Sequence, residues 1–244
     1  MAQRTRLQAG FSLIDLAIVL VVMGLIVGGV LKVGDLIDSA RLNSVQVQAN
    51  ELRTGTRTFY KKWDALPGDI SAADAARIAP GLSGLAAGAA GLGDGIVNGV
   101  RIDGGTASEA TWYWQHLRAA GLVSGVPVVT NGTLSAAQAL TSRAGGVWTF
   151  DWIDMNVLPA DPTFGVPDVD HWFALGATTD APNLGAVLTP AQMRAIDVKS
   201  DDAKPNTGNV AGGNRTSQTC KSGANATDGY AAGTAISCFA WFRL

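Results

Sequence analysis

Charge is scarce in this chain. Asp, Glu, Lys and Arg make up 16% of its 244 residues, against about a quarter in ordinary soluble domains. The formal net charge is -2, so no basic excess draws the protein as a whole to nucleic acid or anionic lipid. Histidine and cysteine are nearly absent, with two of each, which leaves little material for a zinc site. No G-x-S-x-G elbow, H-E-x-x-H helix, phosphate-binding loop or dinucleotide fingerprint occurs. None of those hydrolytic, zinc-dependent or nucleotide-binding chemistries is therefore signalled. His116 stands among Trp112, Trp114 and Leu117, where packing accounts for it better than catalysis. No active site is expected.

Two further absences organise the chain. No charged residue lies between Leu16 and Leu31, and no proline between Phe11 and Trp63. Phe11 to Leu31 is apolar or small except for Ser12 and Asp15. As a helix, about 20 such residues cross a ~30 Å hydrocarbon layer. Arg4 and Arg6 precede the run and a longer body follows it, which favours an N-in, C-out orientation. An ordinary secretory signal has a shorter apolar core and no acid at its edge. A plain membrane anchor fits the length but leaves Asp15 unexplained. An unpaired aspartate costs roughly 2.5–3.5 kcal/mol at the bilayer centre on insertion scales.

The local order is a basic leader, Gly10, then Phe11-Ser12-Leu13-Ile14-Asp15 and an unbroken apolar run. It resembles the class III signal of type IV prepilins and of type II secretion pseudopilins, whose usual form is close to Gly-Phe-Thr-Leu-Ile-Glu. The resemblance implies cleavage by a prepilin peptidase between Gly10 and Phe11, and N-methylation of Phe11. It also implies assembly into a homo-oligomeric helical filament, with an assembly ATPase and an inner-membrane platform protein as partners. One departure is plain: aspartate stands at position 15 where glutamate is usual. Cleavage would place a new α-amine on Phe11, four residues before Asp15 and on the same helix face. A neighbour's amine can also reach that carboxylate in a staggered bundle. Asp15 then enforces docking, because removing one partner of a desolvated ion pair costs on the order of 3–5 kcal/mol. The pilin reading places the protein in the inner membrane before assembly and at the cell surface afterwards. A type II secretion pseudopilin is the neighbouring alternative. A membrane-anchored periplasmic enzyme or binding protein is the alternative of another class.

Beyond the membrane run, residues 32–62 continue a helical pattern, with apolar positions at Leu36, Ile37, Ala40, Val45, Ala49, Leu52, Phe59 and Tyr60. Gly34 and Gly55 weaken it locally. Pro67-Gly68 ends it. The division expected is a leader (1–10), a transmembrane and stalk helix (11–62) and a globular head (63–244). In the head, a short helix is expected over Ser71–Ala79, a second opening at the Thr106–Glu109 capping box and ending at Gly121, and a third at Thr189-Pro190. Strand candidates are Val128–Thr130, Val147–Trp152, Trp172–Leu175 and Ile236–Arg243. The sum is an α+β head with a small antiparallel sheet set against the stalk helix.

Several stretches together resemble larger prepilin-type proteins: LPGDI after the long helix, GDG, WQHLRAAGLVSG, and AIDVKSDDAKPNTGNV before the cysteines. In the related pattern glycine often follows the acidic pair, whereas Ala203 follows Asp201-Asp202 here. Some pseudopilins bind calcium through such a loop, which makes Asp197, Asp201 and Asp202, with Asn206, a candidate calcium set. The plainer reading is turns and caps made by Asp and Asn side chains. Asp161, Asp168 and Asp170 form a looser second cluster. If the body lies outside the cytosol, Cys220 and Cys238 should pair, contributing roughly 3 kcal/mol. In a reducing compartment they would be ordinary buried thiols.

Overall fold

The computed structural model describes residues 13–82, 84, 91–97, 109–126, 140–153, 170–177, 185–213, 220–223 and 228–244. Helix α1 runs Leu13–Trp63, and the chain divides within it into two compact units, Met1–Arg41 and Leu42–Leu244.

The described part of the first unit, from Leu13 on, is helical, and its run to Val30 is apolar but for Asp15 and small glycines. Its described large hydrophobic side chains from Leu13 through Ile37 are all exposed. Leu36, Ile37 and Ala40, expected on the buried stripe, are exposed with them. No described residue of this unit covers them.

In the second unit the helical period is cashed out as burial. Val45, Ala49, Leu52, Thr56 and Phe59 are buried at spacings of four and three, one seam facing the core. Tyr60, expected on that seam, is exposed. It stands one position past Phe59, which turns it off the buried face. Gly55 is also buried. A side chain there would press on Leu122 and Val123, so the glycine expected to weaken the helix instead admits a close approach.

The described head residues form a five-stranded antiparallel sheet in the order β1-β2-β3-β5-β4. The strands are β1 Leu140–Thr141, β2 Val147–Ile153, β3 Asp170–Gly176, β4 Val210–Gly213 and β5 Phe239–Arg243. Register sorts the side chains by period two. Trp148 faces Leu175 and Phe150 faces Phe173; these residues join Phe242 and the α1 seam in the main core. On the other face Trp172, Ala174, Ala211, Phe239 and Trp241 form a second buried cluster.

Helices α2 Ala72–Ile78, α3 Glu109–Ala119 and α4 Pro190–Ser200 complete the described elements. Ser71 caps α2 by accepting from the Asp74 N–H. Thr189 caps α4, and Gln192 closes a reciprocal capping box with it. Glu109 opens α3 as expected, while its partner Thr106 lies outside the described residues, as does Val128–Thr130. The last strand is shorter than expected: Cys238 bridges to Leu188 instead of extending β5. β1 and β4 had no sequence signal. One has two residues, and the other ends in two glycines.

Candidate functional site

Asp15 lies in the first turn of α1 and is exposed. It is the single ionisable residue between Leu13 and Leu31. The positive end of the helix dipole favours an acid there. Gly10 and Phe11 lie outside the described residues. This helix, near the N-terminus, is long and apolar enough to span a membrane. Among the described residues, added side-chain carbons at Gly24, Gly28, Gly29 and Gly34 would meet nothing beyond the helix's own backbone. Small residues of this kind let helices approach closely in membranes.

Three motifs of the head, LPGDI, GDG and the WQHLRAAGLVSG helix, meet at one joint. Asp69 of LPGDI accepts from the N–H groups of Gly93 and of Gly95, the latter at 2.8 Å, and so holds the GDG loop. Burial raises the Asp69 pKa despite these bonds. Gly68, at φ 97°, donates to His116 Nδ1 at 2.8 Å. A side chain at Gly68 would run into the Glu109 carbonyl, so only glycine brings LPGDI against the start of α3. Val97 donates to His171 Nε2 at 3.0 Å. Burial pushes His171 down to about 4, so at neutral pH it is the acceptor this bond requires. Both histidines are thus loop fasteners. The sequence placed His116 in packing and assigned His171 nothing; the signal for His171 is a polar residue inside an otherwise apolar strand.

Asp197, Asp201 and Asp202 come together, with ligand atoms within 4.8 Å of one another. Donors of the protein already serve them. Asp197 accepts from Ala203 N at 3.2 Å and from the Tyr230 hydroxyl at 2.7 Å. Asp201 accepts from the N–H groups of Asn209 and Val210. Asp202 accepts from Lys204 N and the Thr207 hydroxyl. Calcium takes six to eight oxygens, of which three carboxylates supply only part, and the hydrogen bonds they accept close a turn while leaving each a lone pair to spare. The trio thus forms the turn that the plainer reading expects, and its carboxylates remain a candidate calcium set. Ala203 occupies φ 64°, the left-handed region, so alanine sits where the resembled pattern's glycine would be unstrained. Burial pushes the Asp197 carboxyl up to about 6. Burial and the neighbouring Asp197 raise the Tyr230 phenol. Of the second acidic cluster, Asp170 pairs with Arg243 at 2.6 Å, while Asp161 and Asp168 lie outside the described residues.

Cys220 and Cys238 form a disulfide with a Cα separation of 4.9 Å. The chain matches no family model, no curated protein and no solved structure.

Proposed function

We propose that this chain is a structural subunit of a type IV pilus, assembled from the membrane through α1. The observation that carries the reading is the state of the first unit: a helix whose described large apolar side chains are all exposed, carrying one carboxylate in its first turn. So much continuous apolar surface needs lipid or protein around it. A solitary acid at its edge needs a cation. In the pilin reading a bilayer covers the helix before assembly and copies of the same helix cover it afterwards. The α-amine of processed Phe11 supplies the cation, and the head is surface scaffold rather than catalyst.

The test is the N-terminus of the mature protein. Mass spectrometry of the chain extracted from bacterial envelopes should find it starting at N-methylated Phe11. Retention of residues 1–10 in a functional envelope overturns the reading. Microscopy of sheared surface fibres, followed by peptide identification, then separates a pilus from a secretion pseudopilus.

A further inference from the structure

Lys221 stands where a lysine is costly. Its side chain is buried, although the amine on this flexible stem normally reaches water. Its Nζ donates to Oδ1 of Asn206 at 2.8 Å, and Asn206 is buried as well. Asn206 Nδ2 donates in turn to the Gly223 carbonyl at 3.2 Å, which fixes how the carboxamide presents itself to the amine. A primary amine and a primary carboxamide, both withdrawn from water and held in register by separate segments, are the two reactants of an amide exchange. We propose that Lys221 and Asn206 are a modification site at which the two side chains condense into an intramolecular isopeptide bond.

The step balances without any further reagent. Nζ, as the free amine, attacks Cγ of Asn206 and the Nζ–Cγ bond forms. The Cγ–Nδ2 bond breaks, and Nδ2 leaves as ammonia, taking one proton from Nζ. Nothing is oxidised or reduced. Withdrawal from water favours the uncharged form of an amine, which is the nucleophile. Fixed juxtaposition replaces a bimolecular encounter, with effective molarities on the order of 10⁵–10⁸ M in well-oriented cases. The Asp228 carboxylate stands beside Gly223, whose carbonyl orients Asn206.

The position gives the bond a use. Lys221 follows Cys220, whose disulfide reaches Cys238 at the entrance to β5. Asn206 lies between the acidic turn and β4. An isopeptide here ties the α4–β4 connection to the disulfide loop, and two covalent links meet at adjacent residues. The proposal rests on this geometry and is independent of the pilus reading.

Peptide mapping of the full chain, purified in detergent, reduced and digested with trypsin, tests it. The expected product is residues 200–215 joined to residues 216–243, short by one ammonia, with cleavage after Lys221 blocked. Lys221→Arg should give three separate peptides, residues 200–215, 216–221 and 222–243, and Asn206→Ala should leave Lys221 cleavable. Separate peptides of full mass from the wild-type chain would overturn the proposal. So would an ammonia loss confined to the 200–215 peptide, which is the signature of a succinimide and not of a cross-link.

Discussion

Thr56 of α1 and Tyr113 of α3 share a hydrogen bond between hydroxyls in a fully buried position. Thr56 spends its own proton on the Leu52 carbonyl at 2.8 Å, so Tyr113 is the donor between them. The two deletions are therefore unequal. Tyr113→Phe leaves Thr56 bonded to its own helix and should cost about 1 kcal/mol. Thr56→Val strands the tyrosine hydroxyl among apolar neighbours and should cost about 1–3 kcal/mol. Denaturant unfolding of the purified chain checks the order, and the double variant should cost less than the sum.

Ala203 carries a cost that glycine would not. Its φ of 64° belongs to a region where a β-carbon is penalised. Ala203→Gly should raise the melting transition of the globular unit, a gain on the order of 1 kcal/mol. A lowered transition would show that the turn is not held as described.

Asp197 and His171 titrate against each other. Asp197 binds its proton more tightly folded, at about 6 against 3.8. Its contribution to stability is full below 3.8 and is lost as pH rises through about 6. His171 is depressed to about 4 from 6.5; its contribution is present above 6.5 and lost as pH falls through about 4. The opposed slopes overlap, so the wild-type profile understates both. Melting wild type and Asp197→Asn side by side isolates one of them. The difference, wild type minus variant, should grow on acidification from about pH 7 to pH 4, on the order of 2 kcal/mol.

Calcium should leave the globular unit nearly unmoved. A cation bound at a hundred times its dissociation constant would add about 2.7 kcal/mol. With the carboxylates already closing the turn, melts in excess calcium and in chelator should coincide. A rise with calcium that Asp201→Asn abolishes would establish the metal reading.

The helix seam was legible because Val45, Ala49, Leu52 and Phe59 keep the helical period in plain view. The cap at Thr189 was legible because capping is local chemistry, whereas Ser71, expected inside α2, turned out to be its cap. Leu36, Ile37 and Tyr60 misled, because periodicity reports apolar character and not what covers it. β4 was invisible because Ala211, Gly212 and Gly213 are strand only by pairing with β5. The acidic trio could be read as a cluster, but its hydrogen bonds to Tyr230 and Val210 span 33 and 9 residues. The buried pairing of Lys221 with Asn206, 15 residues apart, likewise needs the fold. No local pattern encodes such contacts.

The central claim is that Asp15 drives subunit docking by demanding a cation inside an apolar bundle. Its most direct measurement is surface filament yield in cells expressing Asp15→Ala at the wild-type membrane level, with Asp15→Glu beside it. The account predicts that Asp15→Ala abolishes filaments while processed subunit accumulates in the membrane, and that Asp15→Glu assembles. Normal filament yield from Asp15→Ala would contradict it.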